Sequence, residues 1–232
     1  MAKGIFITGT GTDVGKTYIT ALLVKKLQEA GVKAAYYKAA VSGNQRGEQG
    51  LLPGDAIYVK QISEISQPLD TMVPYIYEQA VSPHLAARRE GNPVELSVVR
   101  QGYEVLSKEY QYITMEGSGG ILCPLRWEEK EQLWLEDVIR ELQLPCFVVA
   151  EAGLGTINAT LLTLEYLKMK HIMVKGIILN YFHSEEEMEQ DNCRMIEQKS
   201  GVPVIACVAE GSQEIALSAE KLISFYSYTH GR

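Results

Sequence analysis

Gly9-Thr10-Gly11-Thr12-Asp13-Val14-Gly15-Lys16-Thr17 is the stretch on which the reading of this chain turns. It follows the apolar run Gly4-Ile5-Phe6-Ile7 and leads into a helical pattern from Tyr18 to Ala30. Strand, glycine-rich turn, lysine, hydroxyl and helix is the order needed to cradle a nucleoside triphosphate. Backbone N–H groups of the turn curl around phosphate oxygens, and the helix N-terminus adds positive potential. Lys16 is then placed to reach the β- and γ-phosphates, and the Thr17 hydroxyl to ligate Mg²⁺. The usual first glycine of such loops would fall at Thr10; Gly9 and Gly11 flank it instead. A plain strand-to-helix turn would account for the glycines, but not for Gly-Lys-Thr in this context.

The bulk properties narrow the field. A chain of 232 residues suits one large α/β domain with a substantial core. Its formal net charge of −7, with no run of Lys or Arg, gives no electrostatic footprint for nucleic acid. No apolar stretch is long enough to span a bilayer. Met1-Ala2-Lys3 runs straight into the first strand, which leaves no room for a signal peptide. Cys123, Cys146, Cys193 and Cys207 form no Cys-x-x-Cys pair, so neither a zinc nor a redox motif is indicated, and Cys146 and Cys207 read as small core residues. The expected setting is the cytoplasm, with reduced thiols and no membrane or nucleic-acid partner.

Short β-rich apolar runs recur at Ile5–Thr8, Ala34–Tyr37, Tyr112–Met115, Phe147–Ala150, Ile177–Leu179 and Val204–Ala206. They alternate with helical patterns over Tyr18–Ala30, Glu95–Glu109, Leu133–Leu142, Asn158–Met169 and Glu185–Lys199. Gly31, Gly91 and Gly201 fall where helices should stop. This alternation predicts an α/β fold: a single-domain, doubly wound, mostly parallel sheet of the P-loop NTPase type spanning residues 1–232. Ser42–Pro53 reads as a long, polar, functional loop. Ligands of open parallel sheets bind beyond the carboxyl ends of the strands, where Gly9, Thr10, Lys38, Glu116, Glu151 and Asn180 would line up.

Several of these positions suit chemistry. Lys38 at a sheet mouth beside a phosphate loop could neutralise a transferring phosphoryl group; the plain alternative is a solvated lysine ending a strand. Glu116, opening Glu116-Gly117-Ser118-Gly119-Gly120, is placed to hold Mg²⁺ with Thr17; the alternative is a turn acid. Asp55 is a second candidate metal ligand, although by itself it reads better as a helix N-cap. Asn180 carries a donor and an acceptor suited to a purine edge, or it forms an Asx-turn. Gly153-Leu154-Gly155-Thr156-Ile157-Asn158 is either a second anion site or a helix start. His84, in Ser82-Pro83-His84, reads as a structural or loop residue. His171, His183 and His230 lack metal-ligand spacing, and no Ser-His-Asp or Cys-His arrangement stands out.

Taken together the motifs resemble the dethiobiotin synthetase family, ATP-dependent enzymes of biotin synthesis. The resemblance rests on Gly9–Thr17, Tyr37-Lys38 with Ser42-Gly43, Asp55-Ala56, Pro74-Tyr75, Ser82-Pro83-His84, Glu116–Gly120, Pro124-Leu125, Gly155–Asn158 and Asn180, in the family's order over most of the chain. It implies closure of a cyclic urea on 7,8-diaminononanoate with CO₂ and MgATP, through a carbamate and a carbamic–phosphoric anhydride. It implies that Lys16 and Lys38 stabilise the carbamate and the transferring phosphoryl, and that Thr12 and Ser42 hydrogen-bond the diamine or the carbamate. Asp13, Val14, Gly15, Lys16, Thr17 and Tyr18 would wrap the nucleotide, with Gly117, Ser118 and Gly119 alongside. Thr17, Asp55 and Glu116 would hold Mg²⁺. Asn180 would read adenine, with Ala209, Glu210 and Gly211 passing nearby. The family is a homodimer, so Gly155 and Asn158 of the partner chain would receive the substrate's far carboxylate. The chain departs from the family in having Asp13 for a frequent Glu, Ala39 for a usual Pro, and Ala209 near a common Pro.

Three other readings compete, of which a plain nucleotide-binding module would not need Lys38, Ser42 and Glu116 all on the ligand edge. A larger amide-forming P-loop synthetase would need a further glutamine-hydrolysing domain. A partner-switching ATPase of the ParA/MinD type would show a second lysine early in the phosphate loop and often an amphipathic tail; Gly9–Gly11 offers no lysine, and Leu222–Arg232 is neither convincingly basic nor amphipathic.

Overall fold

The computed structural model describes residues 2–48 and 50–228. The readings made on Met1, on His230 and on the end of Leu222–Arg232 therefore lie outside the described residues, as does Gln49 within Ser42–Pro53.

The chain runs β1 (Lys3–Gly9), α1 (Lys16–Glu29), β2 (Ala34–Lys38), β3 (Ala40–Val41), β4 (Gln45–Gly47), β5 (Gly50–Leu52), α2 (Gly54–Ser63) and β6 (Tyr75–Ile76). It continues through α3 (Pro83–Glu90), α4 (Leu96–Glu109), β7 (Tyr112–Glu116), β8 (Pro124–Trp127), β9 (Gln132–Trp134), α5 (Leu135–Leu142) and β10 (Cys146–Glu151). It ends with α6 (Thr156–Met169), β11 (Val174–Asn180), α7 (Glu187–Ser200), β12 (Val204–Val208), α8 (Ala219–Phe225) and β13 (Ser227–Tyr228). The main sheet has the order β12-β11-β10-β1-β7-β2, with these strands all parallel, and β13 pairs antiparallel with the start of β1.

The continuous apolar runs follow from helices covering both faces. Successive strand residues point to opposite faces. Phe6, Cys146, Val148, Ile177 and Leu179 belong to one core, which also takes residues of α3 to α7. Ile5, Ile7, Phe147, Val149 and Ile178 belong to the other, packed on α1 and α8. A third cluster, with Tyr36, Ala21, Val24 and Val59, seals α1 and α2 against the edge strand β2. No helix among the described residues is long and apolar enough to cross a membrane.

The expected strands and helices are present, with three corrections. Ser42–Pro53 is not a featureless loop: it folds as the β4–β5 hairpin, whose Arg46 pairs with Glu78 at 2.7 Å. Strands of three residues are too short to give a periodicity to read. The expected helix Leu133–Leu142 begins only at Leu135, because Leu133 and Trp134 belong to β9 and the Trp134 N–H donates to Asp137 Oδ2 at 2.8 Å. His84 is no loop residue; it lies in the first turn of α3, after Pro83 at its start, with Nδ1 3.0 Å from Ser82 Oγ. Gly91 and Gly201 end helices in left-handed conformation as expected, at φ 68° and 70°.

Candidate active site

The phosphate loop joins β1 to α1, and its shape is held by backbone that only certain residues tolerate. Gly15 has φ +87°, and a Cβ there would stand 2.0 Å from the Asn180 amide nitrogen. Asp13 is also left-handed, at φ 62°, a conformation that Asp adopts more readily than most. Lys16 is buried, and its ammonium donates to the Gly11 carbonyl at 2.8 Å across the loop. Burial, and then the charge of Lys38, lower its pKa below the usual lysine range.

Lys38 ends β2 directly opposite Glu116 of β7. It is not a solvated strand-end lysine: it is 4% exposed, and its ammonium lies 2.6 Å from both Glu116 Oε1 and Asp55 Oδ2. Burial alone would depress its pKa, but the two carboxylates outweigh burial and hold it above the ordinary value. Asp55 is not the N-cap of α2. That position belongs to Pro53, and the Asp55 side chain turns to Lys38. Thr17, in the first turn of α1, donates to Glu116 Oε1 at 2.8 Å. Thr17, Asp55 and Glu116 thus gather hard oxygen donors around one ammonium. Two carboxylates and a hydroxyl suit Mg²⁺, which takes few protein oxygens and keeps water and phosphate ligands.

A cavity of about 620 Å³ opens over this cluster. Thr12, Asp13, Gly15, Lys16, Thr17, Tyr18, Lys38, Ser42, Asp55, Glu116, Ser118 and Gly119 all line it. The hydroxyl protons of Ser42 and Ser118 go to the carbonyls of Val81 and Ala40, at 2.6 and 2.7 Å, so both oxygens offer lone pairs to an incoming N–H. Val14 and Gly117 stand behind the surface. Gly117 is glycine because a Cβ would meet Leu135 at 2.8 Å and Phe6 at 2.9 Å, which is packing rather than ligand approach. A cavity of about 690 Å³ lies at the opposite sheet edge, where Gln143–Pro145 and Met169–Met173 precede β10 and β11. It holds none of the sequence-predicted residues, and ligands of such sheets bind at the carboxyl ends of the strands.

Asn180 is fully buried at the end of β11, and its Nδ2 donates to the Val14 carbonyl at 3.1 Å. It is no simple Asx-turn residue: it clamps the phosphate loop, and among the described residues its Oδ1 has no hydrogen-bond partner. Ala209, Glu210 and Gly211 are exposed on the loop after β12. That loop is tied to α1 by the Tyr18 hydroxyl, which donates to the Ser212 carbonyl. Gly155 and Asn158 open α6, exposed and outside the cavity lining. The sequence reading missed Tyr58 and Tyr181, which line the cavity, and Tyr36, whose hydroxyl donates to Glu116 Oε2 at 3.0 Å. Spacing held a signal for two of them: Tyr58 is one helical turn after Asp55, and Tyr36 shares a strand face with Lys38.

Parallel sheet, phosphate loop and buried lysine–carboxylate cluster define an α/β nucleotide-binding protein of the phosphate-loop class. The comparisons agree. The family described as AAA domain matches residues 3–214. A relative from Brachyspira hyodysenteriae, named ATP-dependent dethiobiotin synthetase BioD, is 47% identical over 211 residues, 91% of this chain and 94% of its own. A relative of the same name from Clostridium botulinum (strain 657 / Type Ba4) is 47% identical over 97% of this chain and 99% of its own. The chain belongs to the ATP-dependent dethiobiotin synthetase family. Among solved structures, a chain of the MinC:MinD cell division protein complex of Aquifex aeolicus aligns with TM-score 0.58 at 16% identity, over 100% of this chain and 99% of that one. The signal recognition particle receptor FtsY from Elizabethkingia anophelis, in complex with GDP, aligns with TM-score 0.56 at 13% identity, over 98% of this chain and 64% of that one. These two share the fold alone.

Proposed function

We infer that the chain closes a cyclic urea on 7,8-diaminononanoate with CO₂, driven by ATP, to give dethiobiotin, ADP and phosphate. The observation that carries this reading is Lys38, buried between Asp55 and Glu116 in the same cavity as the phosphate loop. A protein that only binds nucleotide has no need of a second buried lysine there.

Carbamate is a poor electrophile until its oxygen becomes a good leaving group. One substrate amine captures CO₂, the carbamate oxygen attacks the γ-phosphorus and ADP departs. The second amine then attacks the carbonyl and expels phosphate. Little covalent chemistry falls to the protein, which positions reactants and balances charge. Lys16 leaves Gly11 for the β- and γ-phosphates. Lys38 neutralises charge on the carbamate and the transferring phosphoryl, with the Thr12 hydroxyl beside them. The Ser42 oxygen accepts from a substrate amine. Thr17, Asp55 and Glu116 would hold Mg²⁺, which when bound supplies positive charge to the phosphate oxygens. Asn180 and the Ala209–Gly211 loop take the adenine end.

The chain acts as a single-domain cytoplasmic homodimer. Leu154, in the turn just before α6, is 92% exposed, and Leu162, one helical turn after Asn158 on α6, is 63% exposed. Such a face suits burial against a second copy, and would present Gly155 and Asn158 to the partner's substrate carboxylate.

The test is incubation of the purified protein with MgATP and bicarbonate, with and without the diamine, reading phosphate release and product mass. Phosphate and dethiobiotin appearing together only with the diamine support the reading. Steady hydrolysis indifferent to the diamine overturns it in favour of a regulatory ATPase.

A further inference from the structure

Tyr36 and Lys38 leave the same face of β2, two residues apart. In the register with β7, Lys38 stands opposite Glu116 and Tyr36 opposite Thr114, so Tyr36 is the diagonal neighbour of Glu116. The result is a division of the Glu116 carboxylate. Oε1 accepts from Thr17 at 2.8 Å and from Lys38 at 2.6 Å. Oε2 accepts from the Tyr36 hydroxyl at 3.0 Å. Tyr36 and Glu116 are 0% and 1% exposed, so no water competes for that bond.

The tyrosine has little freedom to let go. Its ring is packed in the cluster with Ala21, Val24 and Val59. Its backbone is held on the open edge of β2 by the buried Gln67 side chain, which accepts from the Tyr36 N–H at 2.8 Å and donates to the Tyr36 carbonyl at 3.0 Å. Burial, and then the Glu116 charge, push the phenol pKa far above its usual value, so the hydroxyl remains a donor.

We propose that Tyr36 makes Glu116 a one-oxygen ligand and thereby sets the preference of this site for Mg²⁺ over Ca²⁺. The inference rests on Glu116 being a metal ligand. Mg²⁺ demands a compact octahedron and takes one oxygen from each carboxylate, whereas Ca²⁺ accepts more ligands and readily takes both oxygens of one carboxylate. For Glu116 to bind through both oxygens, Oε2 must be shared between the ion and the Tyr36 hydroxyl, and the carboxylate must turn against the fixed phenol, weakening a buried hydrogen bond; this works against the larger ion. Tyr36 does not line the cavity over the phosphate loop; it is a positioning residue.

The experiment uses the full chain with Mn²⁺ and a non-hydrolysable β,γ-methylene ATP analogue. The protein-bound Mn²⁺ signal is read by electron paramagnetic resonance while Ca²⁺ or Mg²⁺ is titrated in. In Tyr36→Phe, Ca²⁺ is expected to displace Mn²⁺ at about tenfold lower concentration than in the parent chain, with the Mg²⁺ midpoint moving less than about threefold. An unchanged ratio of the Ca²⁺ and Mg²⁺ midpoints overturns the proposal. If Tyr36→Phe fails to fold, Tyr36→Met removes the same donor and is read in the same way. Glu116→Gln separates the two layers. Loss of bound Mn²⁺ supports Glu116 as a ligand, and retention at parental affinity sinks that reading and this inference together. Loss in Glu116→Gln with an unchanged ratio in Tyr36→Phe sinks this inference alone.

Discussion

The Lys38 ammonium and the Glu116 carboxylate meet at 2.6 Å across the β2–β7 ladder, and both are almost wholly buried. Asp55 completes the contact from α2. Lysine thus holds the place between the carboxylates that a divalent ion would share. Lys38→Met leaves two carboxylates without their cation, and removing one partner of a buried pair costs about 3–5 kcal/mol. The nucleotide-free variant is therefore expected to melt well below the parent chain. Millimolar Mg²⁺ should raise its melting temperature more than it raises the parent's. Equal melting in the two proteins, with no response to Mg²⁺, would count against the placeholder role. The same change removes charge that stabilises the transferring phosphoryl, and kcat is expected to fall by about 10²–10³.

Gly15 and Asn180 form a second coupled pair. A Cβ at Gly15 would be strained by its φ of +87° and driven into the Asn180 amide. Gly15→Ala should lose at least the ~1–2 kcal/mol of a left-handed alanine, together with nucleotide binding. Asn180→Ala alone gives up one hydrogen bond to Val14, about 1 kcal/mol. The double variant removes the collision but not the strain, so its loss should fall short of the sum of the two by about 0.5–3 kcal/mol. Strict additivity in urea titrations would show that the amide does not press on the loop.

Nucleotide affinity should depend on pH through Lys16 rather than Lys38. Phosphate favours the Lys16 ammonium, whose pKa in the free protein is depressed by burial and by Lys38. Binding above that pKa takes up a proton, and affinity falls as pH rises through it. The decline should begin below the ordinary lysine pKa of about 10.4. Lys38 has a raised pKa; its contribution to stability is fully present below the ordinary lysine value and is lost only as pH climbs through the raised one. Calorimetry of ATP binding in two buffers of different ionisation enthalpy, from neutral to alkaline pH, reads the proton directly. Absence of proton uptake on the alkaline side would remove Lys16 from this role.

The sheet was legible because strands buried on both faces read as unbroken apolar runs, as in Ile5–Thr8 and Phe147–Ala150. The phosphate loop was legible because its chemistry is compressed into nine consecutive residues, Gly9–Thr17. Lys38 and Glu116 stood out as strand-end residues, but their contact depends on β2 and β7 pairing in register across 78 residues of chain. The service of Tyr36 to Glu116 was hidden for the same reason, since an apolar-looking Tyr36-Tyr37 pair reads as core. The β4–β5 hairpin escaped because strands of three residues are too short to carry an alternation. Asn180 was singled out for a ligand, yet its amide nitrogen is engaged by Val14, a contact that sequence spacing cannot announce.

The apolar face at the start of α6 gives the last prediction. Leu154 is 92% exposed, in the turn before α6 and next to Gly155, the helix's N-cap. Burying a leucine contributes about 1.5–3 kcal/mol, and a two-fold interface uses the same patch on both subunits. Leu154→Glu places a charge in that patch without touching any of the three core clusters. Analytical ultracentrifugation should show the parent chain as a dimer and the variant shifted to monomer, with an unchanged melting transition at low concentration. Because Gly155 and Asn158 are proposed to serve the partner's substrate, the monomer should still bind ATP but show a raised KM for the diamine. A variant that stays dimeric, or one that loses ATP binding along with the dimer, would move the interface away from this helix.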